Sequence, residues 1–141
     1  DGWDSSRLSM VLAVLEARCG VSFGQVDVYL NVAGGMRISE PSADLAAAAA
    51  LLSSFSGQPL AKNSVYFGEI SLTGAIRPAA QTLIRLKEAQ KLGFGAAYLP
   101  TSGDLGRSKM TLDLNRLKHL SELAGEMGAT NPSRSVPGKT N

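Results

Sequence analysis

The sequence has a single cysteine, Cys19, and a single histidine, His119. One cysteine excludes a disulfide within the chain and fits a reducing compartment, so we expect a cytoplasmic location. One cysteine and one histidine cannot supply a zinc cluster, and no metal site is expected in this chain. Cys19 ends an apolar helical pattern, which favours a buried structural thiol over the alternative of a reactive nucleophile.

Long apolar runs are also missing. The run at residues 46–52 is too short and too rich in alanine to cross a membrane, and no basic-then-apolar signal segment opens the chain. We therefore expect no membrane partner. With 141 residues, 44% hydrophobic and 18% charged, the composition is that of one globular domain. Because the chain begins with Asp1 rather than methionine, we expect it to be a piece of a longer protein.

The net charge of +2 is too small to indicate nucleic-acid binding, but its distribution is uneven. Residues 1–75 carry a net charge of −3, and residues 76–141 carry +5. This asymmetry is consistent with an anionic partner for the C-terminal half. Solvated helix faces would explain the same distribution, so both interpretations stay open.

Periodicity and turn signals predict the elements in order. Helices are predicted at 5–18, 41–54, 79–92 and 117–127, with His119 on the solvated face of the last one. Strands are predicted at 25–33, 65–72, 75–77, 96–99 and 111–114, and Arg37 and Ile38 extend a further short strand. This order indicates an α+β or α/β fold with a mixed sheet, and of the two we expect α+β with the sheet packed by helices. Residues 1–128 form the predicted domain, and 129–141 a disordered tail.

The segment Pro41-Ser42-Ala43-Asp44 opens an alanine-rich helix. Unpaired backbone N–H groups and the helix dipole favour negative charge at such a position, which suits a nucleophilic serine. A hydroxyl without a positioned base remains an ordinary alcohol, however. A capping or first-turn role for Ser42, with no chemistry, is the interpretation we favour. Asp44 is expected to interact with the positive helix end and to oppose a nearby oxyanion.

Together with Gly68-Glu69-Ile70-Ser71-Leu72-Thr73-Gly74, this segment resembles the proteolytic domain of Lon-family serine–lysine peptidases over roughly residues 25–100. In that family the serine is the nucleophile and a lysine on the following helix is the base. The resemblance places Ser42 at the nucleophile position, Asp44 at a glycine position and Leu83 at the lysine position. Lys87 lies one turn further, about 6 Å along the axis, and a shifted base is the alternative.

Further segments resemble the C-terminal domain of the RadA (Sms) family of bacterial DNA-repair proteins over nearly the whole chain. They are residues 11–20, 27–35, 66–72 and 85–89. The resemblance implies a Lon-protease-like fold (ribosomal protein S5 domain 2-like) behind a zinc finger and a RecA-like ATPase domain. It implies ATP, magnesium and zinc in those upstream domains, with no cofactor in this chain, and a hexameric ring acting in branch migration during double-strand break repair.

From these observations we expect a non-catalytic scaffold that contacts DNA without reading its sequence, the alternative being an active serine–lysine peptidase that uses Ser42. A third alternative is an oligomer scaffold without DNA contact. Phosphate contacts need positive charge alone. The DNA-binding candidates are Arg37, Arg77, Arg85, Lys87, Lys91, Arg107 and Lys109. Arg85 and Glu88 could instead form a local ion pair.

Overall fold

The computed structural model describes residues 5–22, 40–106 and 109–129 of the chain. Its helices are α1 (Ser5–Cys19), α2 (Asp44–Ser56), α3 (Thr82–Lys91) and α4 (Leu120–Glu126), with a 3₁₀ turn at Pro41–Ala43. Its strands are β1 (Ser64–Tyr66), β2 (Glu69–Ile70), β3 (Ile76–Arg77), β4 (Ala96–Pro100) and β5 (Asp113–Leu117). The strand predicted at 25–33 and its extension at Arg37 and Ile38 lie outside the described residues.

The described strands form two sheets. A three-stranded parallel sheet has the order β1-β4-β5, and β2 pairs with β3 in a separate antiparallel ribbon. Helix α3 connects the ribbon to β4, and α2 precedes β1. The architecture is therefore mixed α/β with parallel and antiparallel pairs, although the described strands do not join into the single mixed sheet that the sequence predicts.

Two clusters of buried side chains make the core. The larger one joins α1, α2 and α4, and the alanines of α2 allow α1 to approach closely. Cys19 belongs to this cluster, and burial raises the pKa of its thiol to about 11, which confirms the buried structural thiol. The smaller cluster lies between α3 and the parallel sheet and includes Leu86, Leu99 and Leu112. Ala129, the last described residue, is fully buried and belongs to the larger cluster.

The strand predicted at 65–72 is interrupted at Phe67 and Gly68, between β1 and β2. The Gly68 N–H donates to the Ser42 carbonyl at 3.1 Å, and the Gly68 carbonyl accepts from the Leu45 N–H at 3.0 Å. A Cβ on Gly68 would lie 2.9 Å from Ile76 Cγ2. The backbone therefore leaves the parallel sheet here to bond to the start of α2, and only glycine fits so close an approach.

Two further predicted boundaries were wrong, and so was the predicted place of His119. Helix α3 begins at Thr82 rather than at residue 79, because Gln81 has a left-handed backbone with φ of 57°. The last strand ends at Leu117, a residue that the apolar pattern places in the last helix. His119 is the half-buried N-cap of α4 rather than a residue on its polar face, and Glu122 completes a capping box with it. Within the described residues, no helix is long and apolar enough to span a membrane.

Candidate functional site

Ser42 lies in the 3₁₀ turn that leads into α2, in the first-turn position. Its side chain is buried, and its hydroxyl donates a hydrogen bond of 2.5 Å to Oε1 of Glu40. Glu40 is the residue before the turn and has an extended backbone, which brings its carboxylate back over the turn. The serine proton is therefore directed at a carboxylate two residues earlier in the chain.

The Glu40 carboxylate is held in its ionised form. The hydrogen bond from Ser42 lowers its pKa below the ordinary value of 4.5, burial opposes this effect, and the hydrogen bond and charge of the Arg85 guanidinium lower the pKa further. Arg85 Nη2 lies 2.7 Å from Glu40 Oε1. A carboxylate with a lowered pKa is a weak base, and it is poorly suited to remove a proton from a hydroxyl at neutral pH.

Arg85 is the cation that α3 brings to this site. Its Nε donates to the Ala80 carbonyl at 3.0 Å, so the guanidinium is held on two sides. Arg85 forms its ion pair with Glu40, whereas the sequence suggests Glu88 as a local partner. A cavity of about 280 Å³ adjoins the site and is lined by Glu40, Pro41, Ser42, Glu69, Ala79, Ala80 and Arg85. Because a guanidinium stays protonated in proteins, Arg85 cannot act as a general base.

Leu83 and Lys87 do not line the Ser42 cavity. Leu83 is half-buried and lines another cavity, of about 420 Å³, together with Pro100, Leu105 and Arg116. Lys87 is exposed. At 3.6 residues per turn, Lys87 lies about 40° around α3 from Leu83 and about 160° from Arg85. The helix therefore presents an arginine, and not a lysine, on the side that faces Ser42.

Asp44 holds the start of α2 to α1 and to the β2–β3 ribbon. Its carboxylate is completely buried and accepts two hydrogen bonds of 2.7 Å from Arg7, one from Nε and one from Nη2. It also accepts a hydrogen bond of 3.0 Å from the Ile70 N–H. Glu69 Oε2 lies 3.7 Å from Arg7 Nη2. Asp44 lies in the first turn of α2, as expected, and in addition forms a bidentate ion pair, a geometry that matches the guanidinium.

The turn at the end of the Gly68–Gly74 motif is held by His119. The imidazole Nε2 lies 2.8 Å from the Thr73 carbonyl, and Nδ1 accepts from the Ser121 N–H at 3.0 Å. The neutral tautomer with hydrogen on Nε2 satisfies both bonds. The Leu120 N–H donates to the Gly74 carbonyl at 2.8 Å. The imidazole also lies close to the backbone of Gly74. A Cβ at this residue would lie 2.6 Å from the ring, which explains why the position holds glycine.

The basic candidates separate into different surfaces. Lys87, Lys91 and Lys109 are all exposed, and Lys87 and Lys91 lie about 40° apart on α3. The Thr111 N–H donates to Gln90 Oε1 at 2.7 Å, which ties the segment that carries Lys109 to α3. We call Lys87, Lys91 and Lys109 the lysine strip.

The remaining candidates do not belong to the strip. Arg85 faces the Ser42 cavity, and exposed Arg77 lies opposite Glu69 in the β2–β3 ribbon. Arg37 and Arg107 lie outside the described residues.

Several residues that build the site were not identified from the sequence, namely Glu40, Arg7, Gln90 and Arg116. The role of Glu40 could have been predicted from its spacing, because a carboxylate two residues before a serine in a turn can reach the serine hydroxyl. The others act over long sequence separations, such as the 37 residues between Arg7 and Asp44. Within residues 5–22, 40–106 and 109–129, no group of three histidine, cysteine or acidic side chains is placed to hold a metal ion.

Comparison with known proteins gives two results. The chain matches relatives named DNA repair protein RadA. The one from Brucella abortus is 62% identical over 109 residues, which are 77% of this chain and 23% of that protein. The one from Rickettsia bellii is 47% identical over 124 residues, 88% of this chain and 28% of that protein. Another, from Synechocystis, is 52% identical over 99 residues (70% and 20%). The chain thus spans about a quarter of the length of these relatives.

The second result is a match to a family model. The model described as subunit ChlI of Mg-chelatase matches residues 5–103, which is more than half of the chain. The match includes the 3₁₀ turn with Ser42, the whole β2–β3 ribbon and α3. The chain therefore belongs to the family that carries this description.

Proposed function

We propose that the chain is a Lon-protease-like domain of a RadA-type DNA-repair protein, and that it is a non-catalytic scaffold that contacts DNA. The RadA name of the relatives supports a role in DNA repair. The proposal extends to a hexameric ring in the cytoplasm that promotes branch migration in double-strand break repair. An upstream RecA-like ATPase domain and a zinc finger would then supply the ATP, magnesium and zinc sites.

One observation about α3 carries the proposal. The helix presents Arg85 to the Ser42 cavity and exposes Lys87 and Lys91 on another side. The α3 side chain at the cavity therefore cannot accept a proton, Glu40 beside the serine is a weak base because its pKa is lowered, and the lysine amines are turned towards solvent. Exposed lysines can contact phosphates, and such contacts need no sequence reading.

The peptidase alternative requires Ser42 to be activated by Lys87. Two observations support this alternative. Ser42 is buried beside a cavity of about 280 Å³, and it lies at the start of a helix, where a nucleophilic serine is expected. Against it, the Ser42 hydroxyl already donates to Glu40 at 2.5 Å. Lys87 would have to displace both Glu40 and Arg85 to come within about 3 Å of the hydroxyl, the reach of a general base.

The DNA contact is tested through its salt dependence. Replacing Lys87, Lys91 and Lys109 with glutamine is expected to reduce the slope of log affinity against log salt by about 0.9 for each phosphate contact that is lost. The measurement is fluorescence anisotropy with a labelled duplex of arbitrary sequence at several salt concentrations. A second, unrelated duplex should give the same change, because phosphates carry no sequence information.

Arg85→Gln is the matched control. It removes one positive charge from the same helix, but from the side that pairs with Glu40, so the slope should stay as in the unaltered protein. If the triple lysine variant kept the original slope, the lysine strip would not be the DNA contact. If all variants bound DNA equally weakly and the protein still assembled, the oligomer scaffold without DNA contact would be favoured.

A further inference from the structure

The segment between β4 and β5 has no helix or strand among its described residues, yet it is anchored at both ends. At the first end, the Arg116 guanidinium donates to four successive carbonyls. Its Nε lies 2.6 Å from the Pro100 oxygen, and its Nη2 lies 3.2, 3.4 and 3.1 Å from those of Thr101, Ser102 and Gly103. The beginning of the segment is therefore fixed to β5.

The other end is fixed to α3 by Gln90. Its side-chain Oε1 accepts the 2.7 Å hydrogen bond from the Thr111 N–H, and Gln90 itself is half-buried. Met110 packs against the small core cluster that contains Leu86, and Leu105 does the same earlier in the segment. Apolar packing and one hydrogen bond thus hold this end against the helix.

Gln90 connects the two parts of the lysine strip. It is the neighbour of Lys91 on α3, and its partner Thr111 follows Lys109 by two residues. The apolar contacts of Met110 have no fixed direction, whereas a hydrogen bond sets the path of the backbone. Without it, Lys109 would have to be ordered each time DNA binds, and such ordering costs affinity.

Resting on the DNA contact proposed above, we propose that Gln90 is a positioning residue for DNA binding. Its amide oxygen fixes the backbone that carries Lys109, so that this lysine lies beside Lys87 and Lys91 when a phosphate backbone arrives. Gln90 acts through Lys109 and does not itself contact the DNA.

A double-mutant cycle with duplex DNA tests this. Gln90→Met keeps the length of the side chain and removes the acceptor. It is expected to lower affinity about fivefold and to reduce the salt slope by about 0.9, as the loss of one phosphate contact would. In a Lys109→Gln background the same change should have no further effect, because the lysine that Gln90 positions is already absent. Gln58→Met, an exposed glutamine beside α4, is the control and should leave affinity unchanged.

A second variant removes the hydrogen bond between Thr111 and Gln90 by changing its donor. Thr111→Pro removes the donor at an exposed position and leaves Gln90 in place. It should reproduce the fivefold loss and the same dependence on Lys109, and it keeps the test valid if Gln90→Met fails to fold. A purely structural role would lower affinity equally in both backgrounds.

The outcomes separate the inference from the function on which it rests. If Lys109→Gln lowers affinity but Gln90→Met and Thr111→Pro do not, the positioning role is wrong and the DNA contact stands. If Gln90→Met lowers affinity by the same factor with and without Lys109, the positioning role is also wrong. If Lys109→Gln itself changes nothing, Lys109 is not a DNA contact, and both proposals fail at this residue.

Discussion

Asp44→Asn is expected to lower the free energy of unfolding by roughly 3 kcal/mol, the lower end of the range for breaking a buried ion pair. The Asp44 side chain has 0% exposure, and that of Arg7 has 23%. Asparagine has nearly the same shape, so the change removes the negative charge and leaves the Arg7 guanidinium in a site built for a carboxylate. Urea unfolding followed by circular dichroism measures the loss.

Glu40→Gln is the matched control for this substitution. Its ion pair with Arg85 has the same 2.7 Å separation, but the side chains are 46% and 30% exposed. Solvent screens such a pair, and its loss should change stability far less than that of Asp44. Equal losses for the two variants would contradict the structural role assigned to Asp44.

Gly74→Ala is expected to cost roughly 3 kcal/mol, the sum of backbone strain and lost hydrogen bonds. The backbone at Gly74 has φ of +93°, and an added Cβ would lie 2.6 Å from two atoms of the His119 ring. The ring must then move, which breaks its bonds to Thr73 and Ser121. Thermal and urea unfolding of the variant would show the loss.

Gly93→Ala separates strain from contact. Gly93 has nearly the same backbone angle, φ of +92°, and no neighbouring atom lies within 4 Å of the position that an added Cβ would occupy. The expected loss is that of the left-handed backbone alone, about 1 kcal/mol. If Gly93→Ala were as destabilising as Gly74→Ala, the contact with His119 would not be what requires glycine at the end of the motif.

The elements that depend on local signals were predictable from the sequence. The apolar spacing of Leu8, Val11, Leu12 and Leu15, with Gly20 after it, gave α1 to within one residue of its end. The interruption at Gly68 was not predictable, because it depends on bonds to Ser42 and Leu45 more than 20 residues away. The start of α3 was misplaced because nothing in the local sequence indicates the left-handed backbone of Gln81.

The position of Ser42 in the candidate site was predictable from the sequence, but the ion pairs that surround it were not. The sequence placed Ser42 at the start of a helix and an uncharged residue at the expected lysine position. An acidic residue at the start of an alanine-rich interior helix also implies a cationic partner, because a buried unpaired charge is too costly. Fourteen basic residues could supply that partner, and sequence alone could not select Arg7. The pairing of Arg85 with Glu40 equally depends on tertiary structure.

The central claim is that the Ser42 hydroxyl has no group to activate it. The most direct test is hydrolysis of an unfolded protein substrate by the folded, assembled protein and by its Ser42→Ala variant, followed by gel electrophoresis and mass spectrometry of the fragments. We predict no cleavage by either protein. Cleavage by the unaltered protein that disappears in Ser42→Ala would contradict the account, and its loss in Lys87→Met as well would show a working serine–lysine pair.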